Sequence, residues 1–278
     1  MGIFPILLGA SIAATPLHPA AVAAARPAVA PPAAEHPALW VINDNDTIIY
    51  LFGTFHALDG KSNWFEQAVK TAFSASDQLM LETLVPEPGQ MPAPVPATAY
   101  RVLPRQGPAV TLAPSASSLL ASSRTVMNAG HTEGMSTRFG ADAVLREAAE
   151  EAGKKVGGLE SFQFQLNMFS SLPDAPKAQA PDKQSMQALA QMLRQLELAW
   201  GRGDLDSFAP MLMQMRAQSP VTYKAMFVER NARWAGWIAN RLKTPGTVFV
   251  AVGAGHLSGP DSVQNQLAAI GVKSARIN

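Results

Sequence analysis

Two short motifs in this 278-residue chain put histidine where chemistry is possible: Gly53-Thr54-Phe55-His56 and Gly253-Ala254-Gly255-His256. Each directly follows an apolar, β-branched run, Thr47–Phe52 and Thr247–Val252, that reads as a buried strand. Ligand sites in α/β sheets form beyond the carboxyl ends of strands. Two neighbouring strands ending this way would aim two imidazoles into one crevice. Glycine suits the first position of each motif, Gly53 and Gly253, because the chain must turn sharply and a side chain would block the approach. One Gly-x-x-His alone carries little weight, since a lone histidine is more often a core or capping imidazole. Two copies in matched strand contexts, among five histidines, point to a shared site.

Carboxylates fall at matching places. The run Gln78–Leu81 leads into Glu82, and Lys155–Leu159 leads into Glu160. An acid just after a buried strand is costly unless it is paired or holds a cation. The plain alternative is a helix cap or an ion pair with a nearby arginine. We read Glu82 as functional and Glu160 as a supporting group behind it. His56, His256 and Glu82 would suffice as ligands of a catalytic divalent metal (Mn, Co or Zn) with one position left for water. Such an ion lowers the pKa of its water and polarises a carbonyl. Alternatively, Glu82 serves as general base beside a histidine-bound ion. A third cluster surrounds Arg230 and Asn231, donors that could hold a carboxylate or a developing oxyanion. On spacing alone, an amphipathic helix with solvated charges explains that cluster equally well.

Other motifs are absent. The chain has no His-Glu-x-x-His and no Gly-x-Ser-x-Gly, and Gly253-x-Gly255-x-x-x-Gly259 is one residue longer than the dinucleotide fingerprint. His131 reads as a surface-loop residue, and Met211–Met215 as core packing rather than a soft-metal site.

The elements that must position these residues alternate strand and helix. Leu39–Ile42 and Thr47–Phe52 flank an Asn/Asp turn and predict a β-hairpin. Helices are expected over 62–74, with Ser62 or Asn63 as cap, and over 142–152, closed by Gly153. Apolar residues at three- and four-residue steps predict further helices over 185–200, 204–216 and 221–242. A last helix, 261–270, and a strand, 272–277, close the chain. The fold class is α/β, a mixed sheet with flanking helices and a helical insertion, 185–242, before the last βαβ unit.

Composition bounds the function. Lys plus Arg number 22 and Asp plus Glu 21, a net charge of +1, so no basic excess exists for nucleic-acid binding. The absence of cysteine excludes disulfides, thiolate ligands and a cysteine nucleophile. Residues 1–25 read as a secretory signal peptide, with an apolar run over 3–14 and alanine-rich sequence after it, although no Lys or Arg precedes that run. An Ala/Pro-rich leader over 26–37 then precedes a domain over 38–278. Prolines cluster again over 86–114, and 86–138 is expected to be loop-rich. No later stretch reaches membrane-spanning length. A periplasmic or secreted location is the expectation.

Several pieces together resemble the TraB/GumN family, bacterial relatives of the Tiki metalloproteases. They are Leu51–His56, Leu81-Glu82, Gly140-Ala141-Asp142, Gly158–Ser161 with Gln165-Leu166, Glu229–Trp234 and Val252–Gly259, in the family's order. The resemblance implies a fold similar to the erythromycin-esterase and ChaN-like group. It implies that His56, His256 and Glu82 form a divalent-metal site, and that Arg230 and Asn231 sit on an active-site helix. The activity implied is that of an exported, metal-dependent, peptidase-like hydrolase of a peptide or other small extracytoplasmic substrate. A non-catalytic protein binding a metal complex or porphyrin on the same scaffold is the alternative. The Pro/Ala-rich run 86–114 and the stretch to Arg138 carry no clear match to the family's motifs.

Overall fold

The hairpin predicted near the start of the domain forms. β1 (Leu39–Asn43) pairs antiparallel with β2 (Thr47–Thr54), Leu39 opposite Phe52. Asp44 closes the turn by accepting the backbone N–H groups of Asp46 and Thr47 on its side chain. A computed structural model describes residues 35–84, 114–173 and 181–278 of the protein. The signal-peptide and Pro-rich 86–113 expectations lie outside those residues.

The chain continues through α1 (Gln67–Ala75), β3 (Gln78–Thr83), α2 (Pro114–Thr132), α3 (Ala141–Glu151), β4 (Lys155–Glu160) and α4 (Phe162–Ser171). Next come α5 (Lys183–Gly201), α6 (Ala209–Gln218), α7 (Pro220–Tyr223) and α8 (Glu229–Arg241). β5 (Gly246–Gly253), α9 (Val263–Ala269) and β6 (Ala275–Arg276) complete it. The strands form one six-stranded mixed sheet in the order β4-β3-β5-β2-β1-β6. β4, β3, β5 and β2 run parallel, and β1 runs against both β2 and β6. The mixed α/β architecture is therefore the one expected.

This topology creates a site. From β2 the chain moves toward the β4 edge, and from β5 it moves toward the β6 edge. Adjacent parallel strands whose connections leave in opposite directions open a crevice at their carboxyl ends. The central strands are buried over most of their length, and aromatic residues pack on them. Phe52 contacts Trp64, Trp200 and Phe249 with ring centroids 5.6, 6.3 and 5.7 Å away. Burying each such side chain contributes about 1.5–3 kcal/mol. Trp200 also donates from Nε1 to the Gly53 carbonyl at 2.7 Å, tying α5 to the end of β2.

Several local expectations change. The first helix begins at Gln67, not Ser62, and its cap residue Glu66 makes no side-chain capping bond. Within the stretch expected to be loop-rich, Pro114–Thr132 is helical, and exposed His131 sits in its last turn. Proline at the first helical position is pre-set for that conformation, which the loop reading discounted. The helix α4, capped by the Ser161 hydroxyl accepting from the Phe164 N–H, was also unforeseen. The expected helix over 221–242 is interrupted by a π-helical turn, Lys224–Val228. Of the methionine-rich segment, Leu212 is buried while Met211, Met213 and Met215 are half-buried. The C-terminal strand shrinks to two residues.

Candidate functional site

The ends of β2 and β5 are level, Thr54 standing opposite Gly253. His56 follows β2 by two residues, and His256 lies in the 3₁₀ turn Ala254–Leu257 that follows β5. Glu82 is the penultimate residue of β3, and Glu160 the last of β4. All four side chains thus leave the same edge of the sheet. Gly253 is where they converge. A Cβ added there would stand 3.1 Å from both Glu82 Oε1 and His56 Nε2. Its backbone N–H donates to Glu82 Oε1 at 2.6 Å. The requirement for glycine at this motif position is therefore a close approach of side chains, as the sequence reading expected.

His256 is 6% exposed, its ring lying against Phe227 and Trp234 with centroids 4.8 and 4.5 Å away. Its Nε2 faces Arg230 Nη1 at 3.2 Å, and its Nδ1 faces Asn231 Oδ1 at 2.6 Å. Arginine only donates, so Nε2 accepts, and Nδ1 carries the proton given to the Asn231 oxygen. Asn231 is itself fixed because Nδ2 donates to the Asp261 carbonyl at 2.7 Å. Burial first, and then the charges of Arg230 and His56, push His256 down to about 3. It is a neutral imidazole with its Nε2 lone pair directed inward.

His56 is held differently. Its Nδ1 is 2.8 Å from Asp142 Oδ1, and both side chains are only partly buried. Burial opposes its charge, but the Asp142 carboxylate and hydrogen bond, with help from Glu82, raise it to about 9. Asp142 belongs to the first turn of α3. That helix starts directly against the His56 backbone: Ala141 N–H donates to the Phe55 carbonyl at 2.9 Å. A Cβ at Gly140 would fall 2.1 Å from the His56 carbonyl oxygen. The sequence reading quoted Gly140-Ala141-Asp142 without giving Asp142 a role. The only signal available was an acid two residues after a glycine at a helix start.

Arg230 ties the carboxylates together. It is 2% exposed and its Nε donates to both Glu160 oxygens at 3.0 and 3.1 Å. Its Nη2 reaches Glu82 Oε2 at 2.8 Å, and its guanidinium lies 4.6 Å from the Trp234 ring centroid. Burial raises Glu82, but the Arg230 charge, the histidines and the Gly253 amide together outweigh it, and the carboxyl falls to about 2. Glu160 also meets Arg233 at 3.3 Å, so it stands on the far side of Arg230 from Glu82 Oε1 and His256. Arg230 and Asn231 stand at the site but are buried at 2% and 1%. Neither lies open to a substrate, so the reading of either as an oxyanion donor gives way to one in which they fix Glu82 and His256.

The remaining geometry bears on a metal. His256 Nε2 and Glu82 Oε1 are 3.7 Å apart. Both are acceptors, Nε2 of an Arg230 N–H and Oε1 of the Gly253 amide. Ligands at about 2.0–2.2 Å from a shared ion subtend roughly this separation. A Cβ at Gly253 would stand 3.1 Å from His56 Nε2 as well. Among the described residues, no group of three or more His, Asp or Glu side chains stands ready-made as a metal cage. Imidazole and carboxylate are donor types that bind divalent cations.

A small gap of about 40 Å³ adjoins His56. Phe55, His56 and Ala57 form one wall, and α2 with Met135 and Leu193 forms the other.

None of the curated proteins and none of the solved structures compared with the chain matches it. The model of the TraB/PrgY/gumN family does match, over residues 38–117 and 107–276. These ranges take in both histidine motifs, the strands that carry them and the helix bearing Arg230, and the chain belongs to the TraB/PrgY/gumN family.

Proposed function

We propose that this protein is an exported, divalent-metal-dependent hydrolase acting on peptides. The observation that supports this most is the pair of facing acceptors, His256 Nε2 and Glu82 Oε1, 3.7 Å apart with His56 Nε2 close by. An imidazole and a carboxylate acceptor this close are suited to a cation, which would take over the Nε2 lone pair that now accepts from Arg230 Nη1. A bound Zn²⁺, Mn²⁺ or Co²⁺ would supply Lewis acidity and an activated water.

The protein groups supply the rest. Asn231 holds the His256 proton on Nδ1, leaving Nε2 to coordinate. Asp142 accepts the Nδ1 proton of His56, whose Nε2 would give up its own proton on coordinating an ion. Arg230 keeps Glu82 ionised, available as ligand or as general base. Glu160 keeps Arg230 in place. The export part of the reading rests on the apolar and alanine-rich residues 3–25. No helix among the described residues is long and apolar enough to cross a membrane.

The test is direct. The purified protein should bind one divalent ion per chain, and the His56→Ala/His256→Ala double variant should lose it. Unchanged metal content in the double variant would remove this site. A peptide library digested under Mn²⁺, Co²⁺ and Zn²⁺ then tests hydrolysis. Metal binding without any cleavage would favour a non-catalytic binder of a metal complex or porphyrin instead.

A further inference from the structure

Asp261 stands outside the centre and is tied to it. Its carbonyl accepts from Asn231 Nδ2 at 2.7 Å, and its carboxylate accepts from the Tyr223 hydroxyl at 2.8 Å. Tyr223 is the last residue of α7, directly before the π turn, and is buried. Burial, reinforced by the Asp261 carboxylate, holds its phenol well above the ordinary value, so the hydroxyl stays a donor. The same ring stacks on Phe227 with centroids 5.6 Å apart, and Phe227 in turn lies against His256. Arg216 Nη1 is 3.7 Å from the same Asp261 oxygen, but it is more than half exposed and adds little.

The helix that follows Asp261 does little to hold it. Ser262, in the capping position of α9, makes no side-chain capping bond, and its buried hydroxyl finds no partner among the described residues. Asn265 reaches back to the carbonyls of Gly259 and Pro260, whereas the side-chain bonds to Asp261 come from Tyr223 and Asn231. That placement matters for the Asn231 amide. Its oxygen takes the His256 Nδ1 proton, while Nδ2 gives to the Asp261 carbonyl and, at 3.3 Å, to the His256 carbonyl. Turned over, the amide would set its oxygen against both carbonyls and its N–H groups against the ring N–H. The shorter of the two carbonyl bonds is the one that Tyr223 secures. Arg230 also holds Nε2, but an ion would take over that lone pair and leave Asn231 as the polar partner of the ring.

We infer that Tyr223 is a positioning residue: acting through Asp261 and Asn231, its hydroxyl keeps the His256 ring turned with Nε2 toward Glu82. The inference rests on the hydrolase reading for its effect on a metal ion, but on the hydrogen bonds alone for its effect on the ring. It ties the helical insertion to the end of β5, since Tyr223 belongs to the first and Asp261 follows the second.

Tyr223→Phe deletes the hydroxyl and keeps the ring on Phe227. Zn²⁺ affinity, measured by competition titration, should fall about fivefold, the weight of one hydrogen bond. Asp261→Ala should cause a loss of the same size, and the Tyr223→Phe/Asp261→Ala pair no more than either alone. Asp261→Asn, which keeps an acceptor, should cause almost none. In metal-free protein uniformly labelled with ¹⁵N, exchange of the His256 Nδ1 proton with water is compared with that of the Val250 amide in β5. That ratio should rise about fivefold in Tyr223→Phe. Ile49→Val, a buried change that costs global stability away from the site, should leave the ratio unchanged. Unaltered affinity and exchange in Tyr223→Phe overturn the inference, as does a double variant whose loss is the product of the two singles. Weakened affinity with the exchange ratio of Ile49→Val also overturns it, marking Tyr223 as a general stabiliser and leaving the metal site standing. If the protein binds no ion at all, quickened exchange still upholds the positioning role while the hydrolase reading falls.

Discussion

Asp142 offers the sharpest quantitative test of the site. Its carboxylate accepts from His56 Nδ1 at 2.8 Å, which leaves Nε2 facing Glu82 and Gly253. Carboxylates placed behind a coordinating imidazole contribute about 10–100-fold to metal affinity, or about 1.4–2.8 kcal/mol. The two side chains are 20% and 28% exposed, so solvent screens part of the interaction. Asp142→Asn keeps an acceptor and should weaken Zn²⁺ binding roughly tenfold. Asp142→Ala removes the acceptor and should approach the hundredfold end of the range. Asp142 also lies in the first turn of α3, where an acid stabilises a helix by about 0.3–1 kcal/mol. Urea unfolding in chelator should show that loss together with the loss of the His56 pairing in both variants. Competition titration of Zn²⁺ at pH 7.5 measures affinity, and the unfolding curves measure stability. If stability falls while affinity stays within a factor of two, Asp142 merely caps a helix and the metal geometry argued above fails.

Arg230 should behave as a buried cation between two acids. Arg230→Met leaves Glu82 and Glu160 without their shared partner and should cost about 3–5 kcal/mol in urea unfolding; a loss under about 1 kcal/mol would refute the pairing. Gly140→Ala drives a methyl into the His56 carbonyl and should cost about 3 kcal/mol, whereas an unaltered melting curve would mean that α3 does not abut β2 as described. The metal-free protein should show a stability maximum near pH 6.5. Below that pH the unfolded chain protonates His256 while the folded chain, with its value near 3, does not, so stability falls as pH drops. His56 contributes fully below pH 6.5, and its contribution is lost as pH rises through about 9. Urea midpoints that climb steadily to pH 9 would show that His56 is not held as a cation.

The sequence carried the two histidines and Glu82 because each follows a strand whose apolar, β-branched run is unmistakable. Parallel strands in a sheet end together, so matched motifs after matched strands predict a meeting. The Asp142 pairing was not legible in this way. It joins residues 86 apart through a helix whose start is set by how closely Gly140 packs on His56, a tertiary fact with no local pattern. Arg230 and Asn231 were visible as polar residues on an amphipathic helix, but their spacing could not separate solvation from burial. The family resemblance placed them at the site, and the geometry then gave them different work from the oxyanion role. The α2 helix was missed because serine-rich, weakly charged sequence has little amphipathic signal, and the prolines before it suggested a loop.

The π turn at Lys224–Val228 sits just ahead of the helix that delivers Arg230, Asn231 and Trp234. Such a turn holds one residue more than ordinary α geometry would. In an ordinary α-helix that extra residue would turn everything downstream by roughly 100° about the axis. The wide turn takes it up locally, so the helix beyond it keeps the guanidinium on the acids and Asn231 on the imidazole.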